Sequence, residues 1–189
     1  MNDDEERVVW QGRFLTTKVR GKWEYVGRAR GIKAAVILAV DAEDHVILVE
    51  QFRMPLGRPC IELPAGLVGD SDDLVGEDTR VAAIRELEEE TGYRAERMDV
   101  LGEFYSSPGM VSESFTLLRA SGLTRISAGG GTDGEDITVH RVPLTGLEDF
   151  IARRRAMGDG IDVKLLLLLG PRMITGRERW QDASQARRR

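Results

Sequence analysis

Between Gly76 and Tyr93 the chain reads G-E-D-T-R-V-A-A-I-R-E-L-E-E-E-T-G-Y, with glutamates at 77, 86, 88, 89 and 90 and no lysine. The spacing predicts a helix over 78–91. Asp78 or Thr79 can cap its start, and Gly92 supplies a stop after Thr91. Ala83, Ile84 and Leu87 form one apolar stripe. Glu86 and Glu90 stand four apart and stack on one face beside it, and Glu89 borders that face. Arg85 points away, where it can pair with a carboxylate and orient it. Like charges at this spacing disfavour a helix by roughly 0.2–0.5 kcal/mol per pair, and a helix needing only solubility would interleave lysines. The crowding makes sense if a hard divalent cation sits among the carboxylates. Mg²⁺, with Mn²⁺ as a substitute, takes oxygen ligands and bridges to substrate phosphates. The plainer alternative is a solvated acidic face.

Other residues could complete such a site. Arg53 follows Gln51-Phe52 at a strand end, where a guanidinium can clamp phosphate bidentately or simply sit on the surface. Asp133-Gly134-Glu135-Asp136 has the composition of a plain turn, yet a mobile loop could carry either Asp133 or Glu135 onto a substrate. Trp10 and Trp23 fall in a short N-terminal region. Either both pack into a core or both offer flat faces to a ligand.

With these residues in view, a family resemblance emerges. Arg85 to Tyr93, R-E-L-E-E-E-T-G-Y, preceded by Glu77, resembles the second half of the Nudix box. The box glycine corresponds to Gly66, but ten residues (67–76) rather than five separate it from Glu77, so Asp70–Leu74 resembles an insertion in the loop before the helix. The flanking E-Q-F-R-M-P-L-G and C-I-E-L-P-A-G stretches resemble the ADP-ribose and ADP-sugar pyrophosphatase branch of these hydrolases. The resemblance implies metal ligation by the Ala65 carbonyl and by Glu86, Glu89 and Glu90, with Glu135 as further ligand or general base and Asp133 as its alternative. It implies catalytic support from Glu89 and Arg85. It further implies substrate contacts from Arg28, Arg30 and Arg53, and from Met110 and Glu113 in the 107–113 loop. Trp10 and Trp23 match tryptophans that sandwich adenine in homodimers with swapped N-terminal regions. The implied activity is Mg²⁺-dependent hydrolysis of ADP-ribose or a related nucleoside diphosphate sugar to a nucleoside monophosphate and a sugar phosphate. Rival readings are a Nudix hydrolase of a dinucleoside polyphosphate or coenzyme A, and a non-catalytic module that binds ADP-ribose.

The 189 residues fit one domain with a small appendage, and 41% hydrophobic with 31% charged residues describes an ordinary globular chain. A net charge of −5 and a pI near 5.2 argue against a nucleic-acid surface. The acidic start does not resemble a signal peptide, and no apolar run approaches membrane-spanning length. The single cysteine, Cys60, excludes an internal disulfide and fits a buried thiol in a reducing, cytoplasmic setting.

The elements that must position these residues follow from periodicity. Residues 8–10, 13–19 and 23–26 read as strands of a small β-hairpin region, too small to bury a core alone. Ala34–Val40 is a continuous apolar run, as for a strand covered on both faces. Strands are expected at 46–49, 61–63, 99–105, 113–120 and 136–142, a flexible glycine-rich loop over 121–135, and helices over 144–156 and 161–169. The tail 176–189 is expected to be frayed or an interface segment. This order predicts an α/β fold of mixed strands. The resemblance makes it a Nudix α/β/α sandwich at 33–189, preceded by the N-terminal β region at 1–32.

Overall fold

The computed structural model describes residues 5–29, 33–69, 78–132 and 134–175. The chain opens with an antiparallel three-stranded sheet, β1 (Arg7–Gln11), β2 (Leu15–Arg20) and β3 (Trp23–Arg28), in the order β1-β2-β3. It is a three-strand meander rather than a simple hairpin.

Two four-stranded sheets follow. One has the order β7 (Ala65–Val68), β4 (Lys33–Ala39), β9 (Ser114–Arg125), β8 (Tyr93–Tyr105). The other has the order β10 (Ile137–Pro143), β5 (His45–Arg53), β6 (Arg58–Glu62), β11 (Gly160–Ile161). Both mix parallel and antiparallel pairs, β4 running parallel to β9 and β11 parallel to β6.

Alternation along β4 explains how the layers stack. Ala35, Ile37 and Ala39 enter a core with Ala83 and Leu87 of α1 (Thr79–Thr91), and with Met98 and Leu118. Val36 faces a second core with Leu48, Ile61, Leu63 and Leu165, closed by Leu147 and Ile151 of α2 (Leu147–Ala156) and Leu169 of α3 (Leu166–Thr175). Sheets covered on both faces need continuous apolar strands, and 34–40 is one.

The helix α1 starts one residue later than its sequence span because Asp78 is the cap, its carboxylate accepting from the Arg80 N–H at 2.8 Å. Gly92 ends it at φ 72°, with its N–H on the Glu88 carbonyl at 2.9 Å.

Three expectations need correction. Strand β8 begins at Tyr93, six residues before 99; its early part is an edge strand whose exposed Arg94, Glu96 and Arg97 hide the apolar alternation. Residues 121–125 are not loop but the end of β9, paired with β8 as far as Tyr93↔Arg125. The expected helix 161–169 divides into the short strand β11, a 3₁₀ turn at Val163–Leu165 capped by Asp162, and then α3.

Candidate active site

A cleft of about 510 Å³ opens between the end of the β7-β4-β9-β8 sheet, strands β5 and β6, and the inward face of α1. Its lining includes Arg28, Arg53, Ala65, Glu86, Glu90, Glu113 and Glu135, so residues spread across more than a hundred positions converge there.

The acidic wall comes from α1. Glu90 is only 6% exposed, and its Oε2 accepts the Ala65 N–H at 3.0 Å. Burial pushes its carboxyl up to about 8; the charges of Glu86 and Glu135 add to this, while the Ala65 N–H and Arg53 oppose it. Glu86 is raised too, first by burial and then by Glu89 and Glu135, against the pull of Arg85. One buried and one half-buried carboxylate that resist ionisation side by side are an environment that a cation would relieve. Gly66 is needed for this packing: a Cβ there would lie 2.0 Å from Cδ of Glu86, so the carboxylate rests directly on the backbone of β7.

Arg85 orients two of the glutamates. Its Nη1 lies 3.0 Å from Oε1 of Glu86 and 3.1 Å from Oε2 of Glu89. Glu89 therefore stands outside the cleft lining, turned toward Arg85. Glu88 faces away and pairs with Arg94 at 2.7 Å. Among the described residues no group of three or more acidic, cysteine or histidine side chains is already closed to metal-binding geometry. The donor set still fits a hard divalent ion. Glu86 and Glu90 supply carboxylate oxygens, Ala65 adjoins Glu90, and Glu135 lines the same cleft.

The cationic wall comes from elsewhere. Arg53 is held by Glu62, with Nε on Oε1 at 2.6 Å and Nη2 on Oε2 at 2.9 Å. The side edge of the fork thus already binds a carboxylate, and the Nη1–Nη2 end remains to meet a phosphate. Glu62 also raises the pKa of Arg53 further. Arg28, at the end of β3, reaches Glu113 with a 2.5 Å bond and ties the N-terminal sheet to the body. Lys164 lines the same cleft, paired with Asp162 at 2.6 Å and lying 5.6 Å from the centre of the Phe115 ring.

Several expected residues stand apart from this cleft. Trp10 and Trp23 are 58% and 64% exposed, so the core alternative fails for both. They lie on opposite edge strands of the N-terminal sheet. Trp23 borders a separate cavity of about 560 Å³ with Arg20, Lys22, Tyr25, Pro108 and Gly109. Met110 is exposed beside β3, its carbonyl accepting the Val26 N–H at 2.9 Å. Arg30, Asp133, Glu77, the inserted 70–74 and the tail 176–189 lie outside the described residues.

Lys164 and Glu62 were not singled out in the sequence. No local pattern marks Lys164. Glu62 did carry a signal: a lone acid between Ile61 and Leu63 in a buried strand requires a partner, and Arg53 across the β5–β6 pair is that partner. Cys60 is buried as expected, its thiol pushed up to about 12, chiefly by burial.

The chain is similar to known proteins. The NUDIX domain model matches residues 30–157. The chain is 42% identical over 112 residues to the methanol dehydrogenase activator of Bacillus methanolicus, a match covering 59% of this chain and 57% of that protein. It is 40% identical over 116 residues to the ADP-ribose pyrophosphatase of Bacillus subtilis (strain 168), covering 61% of this chain and 59% of that one. The matched stretches thus span under two thirds of both relatives. A solved ADP compounds hydrolase superposes with a TM-score of 0.63 at 21% identity, over 92% of this chain and 94% of that one, and so shares the fold. With the domain model spanning most of the chain, and the helix carboxylates, Gly66 and Arg53 gathered at one cleft, this chain belongs to the Nudix family.

Proposed function

We propose that the chain hydrolyses the pyrophosphate bond of ADP-ribose or a related nucleoside diphosphate sugar. The observation that carries this reading is the composition of the cleft. Arg28, Arg53 and Lys164 line it together with Glu86, buried Glu90 and Glu135. An anion with two adjacent phosphates suits the cations, and the identity to an ADP-ribose pyrophosphatase supports the substrate class.

Glu86, Glu90 and the Ala65 carbonyl would hold Mg²⁺, or Mn²⁺ in its place, with Glu89 joining on release from Arg85. A divalent ion there neutralises phosphate charge and lowers the pKa of bound water. The chain's own groups do the rest. The Nη1 end of Arg53 fixes a phosphate oxygen, with its rotation set by Glu62. Arg28 and Lys164 balance the remaining charge. Glu135, or Asp133 in its place, accepts the proton as a water oxygen attacks phosphorus and the P–O–P link opens, releasing AMP and a sugar phosphate.

The working unit in this reading is a homodimer with exchanged N-terminal regions. Residues 1–32 form the dimerising unit and 33–189 the catalytic one. Trp10 and Trp23 are exposed and separated within one protomer, which suits a base pocket built from two chains. Arg30 and Met110 would border that pocket and Glu113 would steady Arg28. A lone buried thiol supports a reducing, cytoplasmic setting in this reading. Incubation with ADP-ribose and Mg²⁺ tests the activity: AMP and ribose 5-phosphate should appear together. Tight binding without products would favour a binding module instead.

A further inference from the structure

We infer that the triglycine segment Gly129-Gly130-Gly131 is a positioning device that locks Glu135 to the ligand-bearing last turn of α1. The inference rests on the reading of Glu135 as the proton acceptor and deepens it.

The sequence suggested a flexible loop, yet its backbone is tied down at several points. The last turn of a helix leaves carbonyls without partners. Here the loop supplies them: the Gly130 N–H bonds the Glu90 carbonyl at 2.9 Å and the Gly131 N–H bonds the Glu89 carbonyl at 3.0 Å. Ile126 and Ser127 N–H groups bond the Gly92 carbonyl at 2.8 and 3.2 Å. The residues whose side chains would ligate the cation thus have their main chain welded to the loop that carries Glu135.

Only glycine permits the approach. Gly129 sits at φ 69°, and a Cβ there would lie 2.4 Å from the Thr91 carbonyl carbon. A Cβ on Gly92 would lie 2.4 Å from the Ser127 carbonyl oxygen. From this anchor the chain turns back. The Ile137 N–H bonds the Gly130 carbonyl at 3.3 Å and the Glu135 N–H bonds the Thr132 carbonyl at 3.0 Å. The Thr132 N–H then holds Oε2 of Glu135 at 3.0 Å. Gly131 is the point of closest control: at φ 85°, a Cβ there would lie 2.7 Å from both Cβ and Oε2 of Glu135. The carboxylate is seated against a bare backbone, as Glu86 is seated against Gly66.

The test compares kcat and KM for ADP-ribose hydrolysis in wild type, Gly131→Ala, Glu135→Gln, the double variant and Gly158→Ala. Gly158 has φ 97° with nothing within 4 Å of an added Cβ, so it reports backbone strain without the collision. Gly131→Ala should lower kcat about tenfold or more with KM within about twofold, Gly158→Ala should leave kcat near wild type, and the double variant should match Glu135→Gln. If Gly131→Ala does not fold, Thr132→Val takes its place. It removes only the 3.4 Å hydroxyl contact to the same Oε2 and should cost about threefold in kcat. Wild-type turnover in Glu135→Gln would refute the assignment of Glu135 itself. A crippled Glu135→Gln beside a fully active Gly131→Ala (or Thr132→Val) would overturn the positioning claim alone. So would an equal further loss in the double variant, which would make the glycine merely structural.

Discussion

Replacing Glu90 by Gln should make the metal-free protein more stable while disabling it. Glu90 is nearly buried, and its carboxyl titrates near 8 in the fold against 4.5 for an ordinary glutamate. A folded-state pKa above the unfolded one means the fold is favoured with the proton on. The stability is fully present below about pH 4.5 and is lost as pH rises through about 8. At pH 7 the penalty is about 1.4 kcal/mol per pH unit over roughly 2.5 units, or about 3 kcal/mol. Glutamine carries no charge, and its amide oxygen can keep the 3.0 Å bond from the Ala65 N–H. For a domain of this size, about 3 kcal/mol raises Tm by roughly 6–12 °C. Differential scanning calorimetry in EDTA from pH 4.5 to 8.5 should show Glu90→Gln level with wild type at the acid end and increasingly more stable toward pH 8. In the same variant kcat should fall at least about a hundredfold, a barrier change of about 3 kcal/mol. A variant less stable than wild type at every pH, or near-normal turnover at saturating Mg²⁺, would refute the reasoning.

Other perturbations follow from the same geometry. Gly66→Ala should push Glu86 off β7, lowering kcat at least about tenfold in a folded protein; unchanged kinetics would mean the close contact is irrelevant to turnover. Millimolar Mg²⁺ should raise the wild-type Tm, and more at pH 8 than at pH 6, because the ion competes with the proton on Glu90; a shift independent of pH would separate the ion from that carboxylate. Trp23→Ala should raise KM for ADP-ribose roughly tenfold, the loss of about one base stack, and leave Mg²⁺ dependence alone. Sedimentation of the active protein as a monomer would remove the two-chain pocket.

The layers of the fold were legible where the chemistry is local. The Ala34–Val40 run, the Asp78 cap and the Gly92 stop each follow from side-chain type and spacing, and each stands within a residue of its expected place. Glu86 and Glu90 share a face because helical periodicity requires it. What was hidden depends on partners distant in sequence. The Arg53–Glu62 pair depends on β5 and β6 lying side by side, with Glu62 opposite Val49 and Arg53 opposite Arg58, and it fixes which end of the guanidinium is left for a phosphate. Lys164 enters the cleft from a 3₁₀ turn with no apolar period to reveal it. Glycines 129–131 read as freedom in the sequence, but their missing side chains allow close docking on α1. The exposed faces of Trp10 and Trp23 could not be told from core residues by composition, since aromatics serve both roles.

The central claim is tested most directly by resolving the products of ADP-ribose incubated with the protein and Mg²⁺, using ³¹P NMR and chromatography. Hydrolysis between the two phosphates predicts equal amounts of AMP and ribose 5-phosphate, abolished by EDTA and by Glu90→Gln. Intact ADP-ribose after prolonged incubation with active-concentration protein and metal, or release of ADP with free ribose, would contradict it.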